Sequence, residues 1–245
     1  NLIIDLYLTD TRASLFFSIP SLVAFFTGLI TEKIIFRIGS VWTLRLGLLF
    51  MGFSYFCFSL SPSFNLILLF TTIFGIGFGF VSVAQNVVIS DAGAGHLRRQ
   101  LFSGLHSMYA LASLASPLFV SLLMGQELEW RKIFAFSTLI PIFIFLTSFV
   151  FTRMSKISIS KKLEFISNEI SSPGLFHVLF FSVSMGIYLV GEVSLSSRLV
   201  LLVRREYLID PQEAPKYLAL FFLLLFLSRL FFCLAPVRRV STNQL

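Results

Sequence analysis

Charge is scarce in this sequence. Only 13% of its 245 residues are Asp, Glu, Lys or Arg, against roughly 25% in a soluble domain, and the mean hydropathy is +0.90. That balance excludes a soluble globular chain and leaves an integral membrane protein. Alternation of polar and apolar residues is missing too: Leu66 to Phe80 and Leu218 to Leu227 run on without it, whereas barrel strands alternate. A β-barrel is excluded on that ground. Cysteine is limited to Cys57 and Cys233, both within apolar segments and without metal-type spacing, so both read as packing residues. Neither a His-Glu-x-x-His cluster nor a Ser/Lys or paired-Asp constellation stands in an apolar segment, so no enzyme, metal site or cofactor is expected. The net charge of +7 is no nucleic-acid footprint, because Lys and Arg at membrane ends have first use as orienting charges. No basic n-region or cleavage pattern marks a signal peptide, and a chain that begins on Asn1 is expected to be a piece of a longer one.

What is present is apolar sequence in long runs, 56% hydrophobic residues with 31 Phe. At about 20 residues per crossing, seven membrane segments are predicted: Leu15–Thr31, Val41–Leu60, Phe64–Ile89, Leu101–Met124, Ile133–Phe151, Gly174–Leu195 and Tyr217–Val237. Asn1 to Leu8 reads as the tail of an eighth. The fold class is therefore all-α, a polytopic membrane helix bundle. The connection Thr152 to Pro173 differs from the rest, carrying Arg153, Lys156, Lys161, Lys162, Glu164 and Glu169 and closing on Ser-Ser-Pro-Gly. It divides the chain into a first bundle at 1–151, a linker at 152–173 and the start of a second bundle, with two helices, at 174–245.

Charges on alternate sides give the orientation. One side collects eleven basic residues, including Lys33, Arg37, Arg45, Arg98, Arg99 and the linker cations, against four acidic ones; the other collects seven of each. The first side is expected to be cytoplasmic, in a multi-pass protein of the cytoplasmic membrane. Two charges remain, Glu192 and Arg229, both inside predicted segments.

Polar groups interrupt the apolar sequence most often between Phe74 and Pro117. Gly75, Gly77 and Gly79 recur at every second position; Gln85 and Asn86 follow; a basic turn runs through Asp91, Gly93, Gly95, His96, Arg98 and Arg99; then come His106 and Tyr109. The glycines spread around a helix and read as packing residues that allow close approach. Lipid satisfies neither an amide nor an imidazole, so Gln85, Asn86 and His106 are expected to face protein or a wet cavity. These three are the binding candidates, with interhelical hydrogen bonding as their structural alternative. Glu192 joins them as the acidic residue well inside a segment, preceded by Gly191, where a helix can unwind. Its alternative role is an ion pair with Arg229, which is itself expected to be a buried structural or gating charge. His96 and His177 are expected at the interface or in solvent.

Three stretches carry a resemblance. Ala84-Gln85-Asn86, followed by Arg99-Gln100-Leu101 and Leu105-His106-Ser107-Met108-Tyr109-Ala110, resembles the fourth and fifth helices of the fucose-permease-like sugar:proton symporters within the major facilitator superfamily. Tyr188-Leu-Val-Gly191-Glu192 resembles that family's seventh helix, with spacing one residue tighter, and Ser228-Arg229 its eighth. By this resemblance the seven segments are helices two to eight of twelve, an incomplete major-facilitator-like fold. The superfamily's loop motif is eroded here: Arg37-Ile38-Gly39 fits, but Phe36 and Ser40 stand at its acidic and basic positions. Ser82 stands where the family's fucose permease has a Glu, which bears on proton coupling.

The resemblance implies a secondary active transporter that moves a small polar solute, a monosaccharide, by alternating access in the lipid bilayer, with protons as the coupling ion. Its substrate would be held by Gln85, Asn86, His106 and Glu192, and its coupling or gating would rest on Glu192 and Arg229. The alternatives are a truncated or non-transporting membrane scaffold and a carrier of a non-sugar metabolite or drug.

Overall fold

The computed structural model describes residues 5–92, 96–124, 129–151, 174–210 and 213–234, and all regular structure among them is helical. Eight helices follow in order: α1 Asp10–Ile38, α2 Ser40–Leu60, α3 Phe64–Ala92, α4 His96–Met124, α5 Trp130–Ser137, α6 Leu139–Phe151, α7 Leu175–Arg205 and α8 Ala214–Leu234. Six stretches among the described residues are long and apolar enough to cross a membrane, with α5 and α6 together forming one of them. The fourth helix is not among those six. At 29 residues it has the length, about 43 Å against a hydrocarbon core of about 30 Å, but Ser103, His106, Ser107, Ser113 and Ser116 dilute its apolar content. Large side chains such as Phe25, Phe53, Phe143, Phe181 and Leu224 stand exposed around the helices, as a bundle solvated by hydrocarbon requires.

Local chemistry sets the helix ends. Thr9 caps α1, its hydroxyl accepting the Arg12 amide at 3.3 Å. Gly39 joins α1 to α2 at φ 88°, a left-handed value that a residue without Cβ adopts at little cost, and its amide closes on the Ile35 carbonyl. The segment predicted as one helix at Ile133–Phe151 is instead two, parting at Thr138. Pro141 explains the break: it has no N–H to give the Ser137 carbonyl, and its ring crowds that turn. Helix α7 runs on to Arg205, ten residues past the predicted end, because Arg is a good helix former and long charged side chains reach out of the apolar layer.

The tightest packing is around α3, which lies against α1 on one side and α2 on the other. A Cβ on Gly75 would meet the Pro20 carbonyl at 2.6 Å, and one on Gly79 would meet Thr27 Cβ at 2.7 Å, both on α1. On Gly77 it would meet the Gly47 carbonyl at 2.7 Å, on α2. A two-residue step turns a helix by about 200°. Consecutive glycines therefore serve opposite neighbours, and the expectation that they act in packing is met.

Arg45 was counted above with the cytoplasmic loop charges, but it sits within α2 at 6% exposure. It donates to Ser148 Oγ at 2.9 Å and to the Ser148 carbonyl at 3.1 Å, with its guanidinium 3.8 Å from the Phe149 ring centre and 4.7 Å from that of Trp42. Guanidinium planes suit such stacked, forked sites, and here the contact ties α2 to α6. At the other end of the molecule Trp130 donates to Asp5 at 2.7 Å, and Arg131 donates to the Ser61 carbonyl.

The fourth helix packs chiefly on α8 and only lightly on its chain neighbours α3 and α5. Helix α7 joins this group through α8. The expected linker at 152–173, the Gly93–Gly95 part of the basic turn and the connection around Gln126 lie outside the described residues.

Candidate functional site

Two charges inside apolar helices must meet or each must find other compensation, and here they meet. Arg229 on α8 donates to Glu192 Oε2 on α7 at 3.0 Å. The same nitrogen donates to the Tyr188 hydroxyl at 2.9 Å. Tyr188 and Glu192 are four residues apart and so share a face of α7. Through its other terminal nitrogen, Arg229 donates to the His106 carbonyl of α4 at 3.3 Å. One guanidinium therefore bridges three helices. Near it Cys233, one turn further along α8, donates to the Gln100 carbonyl of α4 at 3.5 Å.

A cleft of about 300 Å³ opens beside this network, lined by Ser103 and His106 of α4, Met185 and Tyr188 of α7, and Arg229 of α8. The two members of the ion pair differ in access: the Glu192 side chain is 6% exposed and the Arg229 side chain 19%. The pair is therefore open to the cleft from its cationic side. The helix passes through Gly191 without unwinding, so side chains, and not opened backbone, give the cleft its polar groups.

Of the four expected binding residues, the structure brings His106 and Glu192 together with Arg229. Gln85 and Asn86 are not part of this cleft. The Asn86 amide donates to the Ser82 carbonyl one turn back on α3, at 2.9 Å, so the helix itself supplies the partner that lipid would not. A second cavity, about 420 Å³, lies between α1 and α3 and is lined by Ser21, Phe25, Leu29, Phe78, Ser82 and smaller neighbours. Its two hydroxyls are turned inward, Ser21 to the Phe17 carbonyl and Ser82 to that of Phe78, each at 2.7 Å. They leave an apolar wall with little to hold a polar solute. Sequence reasoning missed Tyr188 and Ser103 as cleft residues. The four-residue spacing of Tyr188 and Glu192 was the available signal for the first; Ser103 gave none beyond its place one turn before His106.

The sequence profile described as Major Facilitator Superfamily matches residues 2–241. The chain belongs to the major facilitator superfamily. Searches of curated proteins and of solved structures return no match. As a major facilitator, the protein is an integral, multi-pass membrane protein of a superfamily of transporters.

Proposed function

We propose that this facilitator is a secondary carrier that moves a small polar solute by alternating access between two bundles, residues 1–151 and 174–245, joined by the linker at 152–173. One observation carries the reading: the polar cleft forms where α4 of the first bundle meets α7 and α8 of the second, and carrier sites lie near mid-membrane between such units. The family resemblance points to a hydroxylated solute of monosaccharide size. Tyr188, Ser103, His106 and Arg229 supply the donors and acceptors that hydroxyls need. Coupling to protons would use Glu192, which has to part from Arg229 before it can carry one. The cytoplasmic membrane is the proposed location.

A non-transporting scaffold is the second reading, favoured by Gln85 and Asn86 standing outside the cleft and by Phe36, Ser40 and Ser82 at the eroded motif positions. Uptake of labelled monosaccharides by the full-length protein in proteoliposomes separates the two. The carrier reading expects His106→Ala to weaken uptake strongly, Asn86→Ala to weaken it little, and Glu192→Gln to abolish its pH dependence while retaining exchange. If solute moves no faster than in empty vesicles across hexoses, pentoses and their acids, the scaffold reading holds.

A further inference from the structure

We infer that the cleft between α4, α7 and α8 is an anion subsite, and that the solute carries a carboxylate or a similar group which Arg229 holds. The inference rests on the carrier reading for its biological sense, but its evidence lies in how the cleft is charged. A guanidinium has five N–H donors, and three are engaged, by the His106 carbonyl, the Tyr188 hydroxyl and Glu192. Two remain without an acceptor among the described residues. The carboxylate that balances Arg229 sits behind it, 6% exposed against 19%, and none of the described residues lining the cleft is acidic. Around the guanidinium stand the Ser103 hydroxyl and the His106 imidazole, neither with a side-chain hydrogen bond among the described residues.

A neutral sugar is best held by carboxylates and amides that accept from its hydroxyls, and the carboxylate here, Glu192, is committed to Arg229. Both hydrogens of one terminal nitrogen are taken by Tyr188 and Glu192, so an anion meets Arg229 through Nε–H or the second N–H of the other terminal nitrogen, by a charge-assisted bond rather than a fork, with the Ser103 hydroxyl and His106 imidazole beside it for further oxygens. The class that satisfies both this cleft and the family resemblance is a small hydroxylated carboxylate, a sugar acid or a short hydroxy acid. Glu192 then acts as the resident counter-ion that holds Arg229 in place between solutes and competes with the incoming one.

The test reads the charge of the cleft before any substrate is known. In full-length protein made cysteine-free, with Cys57 and Cys233 among the residues replaced by Ser, Ser103→Cys places a thiol in the cleft wall. Its rates with an anionic (sulfonatoethyl) and a cationic (trimethylammonium-ethyl) methanethiosulfonate are each normalised to the rate of a free thiol. The anionic reagent is expected to be favoured by about tenfold, the equivalent of about 1.4 kcal/mol. Glu192→Gln should raise that preference, and Arg229→Gln with Glu192→Gln should remove it, with neither charge left unpaired. Millimolar gluconate or lactate should slow the reaction, and glucose at the same concentration should not. A cationic preference, or an anionic one that survives loss of Arg229, overturns the inference, as does protection by glucose alone. An Arg229-dependent anionic preference in a protein that moves no solute leaves the subsite standing and removes the carrier reading instead.

Discussion

Removing the Arg229 guanidinium while leaving Glu192 in place is the most informative perturbation of the network. In Arg229→Leu the Glu192 carboxylate, 6% exposed, loses its cation and a charged hydrogen bond of 3.0 Å. Breaking a buried pair in this way typically costs about 3 to 5 kcal/mol, and the partial exposure of Arg229 places the expectation near the lower figure. Glu192→Gln removes the other partner more gently, since Arg229 keeps the Tyr188 hydroxyl, the His106 carbonyl and the new amide oxygen; about 1 kcal/mol is expected. The double variant leaves no orphaned charge and should lose only about 1.5 kcal/mol, so that the pair shows a coupling of about 2.5 kcal/mol, within the range for contacting residues. The measurement is unfolding of the full-length protein in mixed micelles as the denaturing detergent fraction rises, for all four members of the cycle. Additive effects, with a coupling below about 0.5 kcal/mol, would refute the claim that Arg229 and Glu192 are held by each other, because distant residues behave that way.

Three other outcomes follow from the packing and the charge pattern. Gly77→Ala forces a Cβ to within 2.7 Å of the Gly47 carbonyl and 2.9 Å of the Met51 amide; these are backbone atoms that cannot turn aside, and a loss of about 2 kcal/mol or more is expected in the same unfolding assay. A Cβ at Gly104 would lie 3.7 Å from Cys233 Sγ, so Gly104→Cys should form an oxidant-dependent disulfide with Cys233, read as a mobility shift after proteolysis of the linker and abolished by Cys233→Ser. The basic excess on one side places Gly95 inside and Gln126 outside; in a cysteine-free background, Gly95→Cys and Gln126→Cys should label with an impermeant reagent from opposite faces, and labelling of both from one face would reverse the topology argument.

The helices were legible because hydrocarbon leaves so few ways to satisfy a backbone: an apolar run such as Leu66 to Phe80 has little option but to be helical. Their ends were less so. Arg198, Arg204 and Arg205 looked like a loop yet continue α7, since charge ends a membrane crossing without ending a helix. Pro141 divides α5 from α6, whereas Pro20 sits inside α1; nothing local in the sequence distinguishes the two outcomes. At the site, Glu192 and Arg229 could be read as partners because each was costly alone and little else was available to either. Asn86 stands apart from that cleft for the opposite reason. Its amide is as costly in lipid as His106, but a side chain that reaches back four residues finds a carbonyl on its own helix, and no pattern of residue types reveals that choice.

The glycines of α3 mean that stiffness is unevenly distributed in this molecule. Between α1, α2 and α3, backbone lies on backbone, with no room for a single added carbon at Gly75, Gly77 or Gly79. Any sliding there would drive carbonyls into Cα atoms. Where α4 meets α8 the helices also pack along each other, but the polar contacts are a guanidinium on a carbonyl and a thiol on a carbonyl, and Gly104 has ordinary clearance. Side chains of that kind exchange partners by rotating, at a cost of one or two hydrogen bonds. The stiff part of the molecule is therefore the block of α1, α2 and α3, and the seam where contacts can be remade by side-chain rotation is the one beside the Arg229–Glu192 pair.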